Sequence, residues 1–416
     1  MLSHYFKMAL VVLWRRKFMA FVNIFGIVIT LLTLIVGVAA LNSGLNPKKA
    51  ARNTEQYLVI DEMCFTGERN TRNGGVGHQF YTRHLQPMQT PDKISFSTSA
   101  HSAVVFQQGQ KLNFAIRRTD ATYWEIMQHQ LLEGRWYDQA ELENGQFVAV
   151  INESLREQYF AGESPLNQSL RINGQTFNVI GVVEDEPETS RTSFSDIWVP
   201  LTTAPSANYQ KEWIGDGQVL VWIEDASKRD LMARETQDLA SQFEYVPDPT
   251  RYEQALFLAK TPLDNVSNKF LGENCTNLSH ASTFISVIAA ITLVFMLLPA
   301  INMINLNVSR ILERAPEIGL RKAAGASNRL LVGQFLVETL VVTTIGGVVA
   351  FVIAPWVLAF MNNTLIRYGQ LSMSLGVFMA GLGLILVFGL LSGVYPAWRM
   401  SKLAPANALR GGHRHA

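Results

Sequence analysis

The stretch ERAPEIGLRKAAGAS, residues 313–327, gathers Glu313, Arg314, Glu317, Arg321 and Lys322 between two long apolar runs. Charges of both signs at this spacing suit binding and bracing rather than bond-making, because no nucleophile stands beside a general base. Pro316 fits the first turn of a helix, where its missing N–H breaks no bond. Glu317 then lies at the positive end of the helix dipole, with Arg321 and Lys322 toward the negative end. Gly325 supplies a C-terminal stop, Ile318, Gly319 and Ala326 complete the segment, and Ser327 can cap whatever follows. The helix expected within 316–325, about nine residues before the Gly325 stop, is about 13 Å long. A rod with both ends specified can be pushed by a partner and pass that motion to the flanking runs. It can equally rest its apolar side on lipid headgroups.

Other chemistry is sparse. The chain has no G-x-x-x-x-G-K-[ST], G-x-S-x-G or H-E-x-x-H. His78, His84, His101, His129 and His280 lack ligand-like spacing with Cys or acids and read as packed or solvated, and His413 and His415 belong to a flexible tail, so no metal site is expected. Glu338 is the one acid inside an apolar run. Either it has a function there, since a carboxylate facing lipid is expensive, or it snorkels or hydrogen-bonds to a neighbouring helix. The two cysteines, Cys64 and Cys275, either clip together the ends of one long segment as a disulfide or remain two unpaired thiols.

The elements that must position these residues are membrane-length. Of 416 residues, 48% are hydrophobic and 17% charged, and residues 18–41, 283–306, 331–360 and 374–395 each exceed the roughly 20 apolar residues that cross a bilayer as helix. Residues 18–41 are too long for a signal-peptide core and read as an uncleaved anchor. Lys7, Arg15, Arg16 and Lys17 precede it; Arg310, Arg314, Arg321, Lys322 and Arg329 fill the link after the second run; Arg399, Lys402, Arg410 and Arg414 follow the fourth. By the positive-inside rule both termini and 307–330 are cytoplasmic, while 42–282 and the short 361–373 loop lie outside. Removing the 14 cations and 3 acids that lie beyond 42–282 from totals of 35 and 34 leaves 21 cations against 31 acids in the external segment. That acidity excludes a nucleic-acid surface.

The fold class expected is therefore four transmembrane helices with a large mixed α/β domain inserted between the first and second. Residues 1–17 form a cytoplasmic amphipathic segment and 396–416 a cytoplasmic tail. In the external segment, strands are expected at Ile94–Ser97, Ala103–Phe106, Leu112–Arg117, Phe147–Ile151, Ser169–Ile172, Phe177–Val183, Ile197–Leu201, Val219–Ile223 and Ala255–Ala259. Asn173-Gly174 marks a type I′ hairpin. Asn152 can cap a helix whose Leu155 and Tyr159 share a face, and Leu231, Met232, Leu239 and Phe243 fall near one stripe of another. Residues 42–60 and 260–282 could continue the spans outward as a stalk, unless Pro47 and Pro262 make them loops.

ERAPEIGLRKAAGAS resembles the E-R-x-x-E-I-G-x-R-x-A-x-G-A signature of FtsX-like permeases of ABC transporters, through Glu313, Arg314, Glu317, Ile318, Gly319, Arg321, Ala323, Gly325 and Ala326. QFLVETLVVTTIGG (334–347) and YPAWRMSKLAPANALRGG (395–412) continue the likeness. Residues 131–185 and SDIWVPLTTA (195–204) resemble the periplasmic core domain of MacB-like members. Pro316 departs from the polar residue often found there, which bears on the helix entry angle.

The resemblance implies a non-catalytic permease of the bacterial inner membrane that dimerises, with an identical or sibling copy. It binds a cytoplasmic ABC ATPase through a coupling helix at 316–325, with ATP and Mg held by that partner and no cofactor on this chain. ATP-driven closure would be relayed to the periplasmic domain, an arrangement called mechanotransmission. With 17 residues before the first run, the ATPase is expected on a separate polypeptide. Export of a peptide, toxin or drug-like molecule with a periplasmic adaptor and outer-membrane channel is the leading expectation; lipoprotein release and FtsX-like regulation are the alternatives.

Overall fold

The computed structural model describes residues 17–45, 56–272 apart from positions 108, 189, 244, 245 and 247, then 280–291, 293–294, 328–364 and 371–401. The chain divides into two compact units: Met1–Leu41, Ser286–Met361 and Leu371–Ala416 form one, and Asn42–Ile285 with Asn362–Gln370 the other.

The first unit is helical. Among the described residues, Ala20–Ala40 and Leu340–Thr364 are long and apolar enough to cross a membrane, and Ala281–Ile291 and Leu375–Val387 are shorter apolar helices. The four expected runs thus all contain helix, two of them at spanning length among the described residues. The helix Lys17–Leu45 buries Ala20, Ile27, Leu31 and Ile35 and turns Phe18, Phe21, Phe25 and Ile29 outward. An apolar outward face fits lipid rather than water. Small residues permit close approach: a Cβ on Gly346 would lie 2.8 Å from Ile27 Cγ2, and one on Gly381 2.5 Å from Leu34 Cδ2.

The second unit is mixed α/β with fourteen strands among the described residues. They are β1 (Tyr57–Ile60), β2 (Met63–Thr66), β3 (Thr71–Val76), β4 (Lys93–Thr98), β5 (His101–Gln107), β6 (Gln110–Thr119), β7 (Leu131–Gly134), β8 (Val148–Asn152), β9 (Ser169–Ile172), β10 (Gln175–Val183), β11 (Ile197–Pro200), β12 (Ile214–Gly215), β13 (Gly217–Trp222) and β14 (Gln254–Phe257). The nine expected strands are all present within a residue or two at their ends. Strand Tyr57–Ile60 pairs with β13 in the sheet, so the end of the expected 42–60 stalk is sheet instead.

One lobe is a closed ring. β5 pairs β6, β6 pairs β11, β11 pairs β8, β8 pairs β10, β10 pairs β9, and β9 returns to β5 at Val105↔Ile172. Phe114, Ile116, Ile151, Leu170, Phe177 and Val199 fill it, and Leu155 is buried with them from the helix Glu153–Phe160. Asn173 (φ 49) and Gly174 (φ 89) make the tight turn between β9 and β10. Asn173 also closes the ring: its N–H donates to Val104 O at 3.0 Å and its Oδ1 accepts from Val104 N at 2.8 Å. Two hydrogen bonds thus extend a junction that has a single paired position.

The other lobe joins β1, β13, β4, β3, β2 and β14 around Leu58, Phe65, Phe80, Val219, Met232 and Phe257. Its helix Arg229–Gln242 buries Met232, Thr236 and Ala240, whereas Leu231 is 56% exposed. At 100° per residue Leu231 falls off the 232–236–240 stripe, which corrects its expected inward position. Pro262 does not break the chain into a loop. It opens the helix Pro262–Leu271 at its first turn, with a Thr261/Asp264 capping box before it and Gly272 (φ 71) after it.

Candidate functional site

A dense polar network lies where the two lobes meet, beneath the segment 190–196. Strand β6 carries both lobes: it pairs with β5 on one edge, with β11 over Ile116–Thr119 on the other, and with β4 at Thr119↔Ser97. Its alternation sends Phe114 and Ile116 into the ring and Arg117 and Thr119 to the opposite face. There Arg117 is 0% exposed. Its Nη1 donates to Thr98 O at 2.9 Å, Nη2 to Arg191 O at 2.6 Å and Phe194 O at 3.1 Å, and Nε to Phe194 O at 3.2 Å. Carbonyl dipoles hold the guanidinium, and burial pushes its pKa down.

Other side chains pin the same segment from both lobes. Asp196 Oδ2 accepts from Ala115 N at 2.6 Å and Oδ1 from Asn152 Nδ2 at 3.0 Å. Asn152 uses its Oδ1 to cap the next helix at Leu155 N, 2.9 Å, as its position before ESLREQYF leads one to expect. Gln218 Nε2 donates to Thr192 O at 3.0 Å and Ser97 Oγ at 3.1 Å. The Tyr123 hydroxyl donates to Ser193 O at 3.2 Å. The segment is therefore held by β6, β8, β13 and the helix Thr122–Met127 together.

Two titratable groups flank this network. Asp120, at the end of β6, accepts from Ser95 Oγ and Phe96 N at 2.7 Å each and from Tyr123 N at 2.9 Å. Burial nevertheless raises its pKa to about 6, against the lowering by those three donors. His129 is packed against Tyr123, Trp124 and Trp198, and burial, with Arg117 adding to it, lowers its pKa to about 3.

The signs oppose. Asp120 binds a proton more tightly folded than unfolded, so its contribution is present below pH about 4 and lost as pH rises through about 6. His129 resists protonation when folded, so its contribution is present above pH about 6.5 and lost as pH falls toward 3. Between pH 4 and 6 the two slopes cancel in part. His129→Phe keeps a ring in place but removes one slope, and the variant should be more stable at pH 5 than at pH 7, read as thermal midpoints across that range. An unchanged profile would remove His129 from the acid response.

The network braces; it presents no open nucleophile. Sequence reasoning missed Arg117, Asp120 and Asp196 as a set, because each lies at a strand end where a charge reads as ordinary. The signal was Arg-Arg-Thr-Asp continuing a strand whose alternate residues were already apolar. Residues Glu313, Arg314, Pro316, Glu317, Ile318, Gly319, Arg321, Lys322, Gly325 and Ala326 lie outside the described residues. Glu338 falls within the helix Asn328–Thr364. Cys64 is on β2, 1% exposed and disulfide-bonded, and Cys275 lies outside the described residues. Breaking the Cys64 disulfide with reductant under mild denaturant should destabilise the external unit by about 2–5 kcal/mol, seen as a lower unfolding midpoint. Equal midpoints for oxidised and reduced protein would deny the bond a stabilising role.

The sequence profile of the MacB-like periplasmic core domain matches residues 20–239, and that of the FtsX-like permease C-terminal region matches 289–405. The macrolide export ATP-binding/permease protein MacB of Bdellovibrio bacteriovorus is 25% identical over 396 residues, covering 92% of this chain and 59% of its own length. The chain thus spans about 59% of the length of the ATP-binding/permease relatives it matches first. The ABC transporter permease YknZ of Bacillus subtilis is 24% identical over 416 residues, 97% of this chain and 98% of its own. Among solved structures, the periplasmic region of MacB from Actinobacillus actinomycetemcomitans is 18% identical with a TM-score of 0.38, over 55% of this chain and 100% of that one.

Proposed function

The chain belongs to the family of ABC transporter permeases with a MacB-like periplasmic core domain and an FtsX-like permease region, and from that premise we propose that it is the membrane subunit of an ATP-driven export machine. In this reading four spans hold the protein in the inner membrane, with both termini cytoplasmic and residues 42–282 in the periplasm. Two copies engage a cytoplasmic ATPase through the helix at 316–325, and nucleotide-driven movement of that helix displaces the external unit. The cargo is a peptide, toxin or drug-like molecule, handed on through an adaptor and outer-membrane channel.

The observation that carries this reading is order along the chain. An apolar helix leads into a compact α/β unit, and the permease-type segment follows it. The buried polar network adds a physical reason: Arg117, Asp196 and Gln218 tie both lobes to one segment, so a displacement applied at one lobe moves the other. Interiors packed to this degree transmit strain rather than absorb it.

The test is affinity purification of the full protein from its native membrane in gentle detergent, with mass spectrometry of what copurifies. An ABC ATPase together with an adaptor is the expected result. A cell-wall hydrolase or sensor kinase in their place would move the reading to regulation. Absence of any ATPase would overturn it.

A further inference from the structure

Two polar side chains are buried inside the helical unit with their oxygens unpaired. Asn23, on the helix Lys17–Leu45, is 4% exposed, and Thr343, on the helix Asn328–Thr364, is 0% exposed. Asn23 Oδ1 and Thr343 Oγ1 have no hydrogen-bond partner among the described residues. A threonine inside a helix commonly gives its hydroxyl proton to the carbonyl one turn back. Thr30 and Thr344 do so, to Gly26 O at 2.9 Å and Leu340 O at 2.8 Å. Thr343, next to Thr344 in the chain, does not.

Packing within this unit places the two at one level. The rings of Phe351 and Phe378 are 5.1 Å apart, and a Cβ on Gly347 would lie 2.6 Å from Leu382 Cδ1, so the helices Asn328–Thr364 and Leu375–Ser401 are antiparallel. Ile27 meets Gly346, and further along the same helix Leu31 and Leu34 meet Gly381, which lies on the Phe378 side of Leu382. The helix Lys17–Leu45 therefore runs in the same direction as Asn328–Thr364. From the contact of Ile27 with Gly346, Asn23 is four residues back on one helix and Thr343 three back on the other, about one turn in each case. The next layer of the interface thus holds an acceptor, the amide oxygen, and a donor, the hydroxyl.

Two polar atoms left unpaired weaken an apolar interface, because each has lost water without replacing it. Between spanning helices neither solvent nor spare backbone is at hand to satisfy them. Joined, the same two groups make the kind of hydrogen bond by which asparagine and threonine link helices in a bilayer. We propose that Asn23 and Thr343 are a latch, open in the present arrangement, that closes by donation from Thr343 Oγ1 to Asn23 Oδ1 when nucleotide-driven movement turns or slides the helix Lys17–Leu45 against Asn328–Thr364. This rests on the permease reading above, to which it adds a second state of the helices. Gly346 presents no side-chain ridge beneath Ile27, so a shift at this contact meets little obstruction.

The experiment places two cysteine pairs, one at a time, in the full protein in native membranes: Asn23→Cys with Thr343→Cys, and Leu34→Cys with Gly381→Cys as the pair already in contact. Each is oxidised with copper phenanthroline, with and without Mg-ATP and vanadate, and the disulfides are read by peptide mass spectrometry. The 23–343 disulfide is expected to increase severalfold with trapped nucleotide, while the 34–381 disulfide forms in both conditions. With 34–381 formed, a 23–343 disulfide that is absent, or equal in the two conditions, overturns the latch. Absence of both disulfides overturns the helix packing and the latch with it. Copurification of an ABC ATPase from the same membranes separates the two readings: with an ATPase present, an unresponsive 23–343 pair overturns the latch alone, and with none the permease reading falls as well. Asn23→Leu supplies a second measurement. It removes an unpaired buried oxygen from the nucleotide-free protein, whose thermal midpoint should rise; a lower midpoint means that Asn23 is already bonded there and overturns the inference.

Discussion

Arg117→Met lowers the stability of the external unit by about 3–5 kcal/mol, because several carbonyl acceptors lose a charged donor at once. Methionine fills much of the same volume, so the loss is electrostatic and not a cavity. Three carbonyl oxygens, those of Thr98, Arg191 and Phe194, lose their donors. Each hydrogen bond from a charged donor contributes about 1.5–3 kcal/mol. Recovered burial of an apolar side chain offsets part of that sum. For a unit of this size a loss of 3–5 kcal/mol corresponds to a fall of about 10 °C in midpoint. The measurement is thermal unfolding of the detergent-solubilised protein followed by tryptophan fluorescence, since Trp124, Trp198 and Trp222 are buried in the external unit. Arg117→Lys supplies the control: it retains charge but cannot reach three carbonyls at once, and falls between the two. A midpoint unchanged in Arg117→Met would mean that the 190–196 segment is held without it.

Glu317→Arg abolishes function with the protein still inserted and folded. In the proposed coupling helix Glu317 lies one residue after Pro316, at the end where the helix dipole favours an acid. Reversal puts a cation there and into whatever surface the ATPase offers. Truncating one member of a buried interfacial charge pair costs about 2–5 kcal/mol, so recovery of the ATPase should fall by about thirtyfold or more. Gly319→Trp should act alike by bulk, without a charge change. Copurification of the ATPase and ATP-dependent export are the readouts. Protease protection of the external unit reports insertion and should not change. Normal export by both variants would rule out 316–325 as the coupling element.

Much of the external fold is legible in local pattern. Strand Ser169–Ile172 has the bounds its pattern predicts, because its apolar and polar side chains alternate and Asn173-Gly174 ends it. Asn152 is legible as a cap for the same kind of reason, an amide side chain directly before a helix-forming run. By contrast Thr71–Val76, TRNGGV, carries no alternation, and its glycines argue against a strand. It becomes one because β2 and β12 flank it, with Gly74 against Ile214 and Gly75 against Gly217 too closely for any Cβ.

The apolar runs, the charge asymmetry, the local turns and caps, and the family can all be read from the order of residues. The runs, turns and caps depend on residues within a few turns of one another, where spacing alone selects the conformation. The rest arises from contacts between residues far apart in the chain. The ring closes through β6 and β11, whose partners Ile116 and Ile197 are remote in the chain. Arg117 becomes the centre of a network only when the segment 190–194 folds over it. Each of these outcomes is set by which groups are brought together over long stretches of chain and by what their burial then demands, and a local pattern carries no record of that.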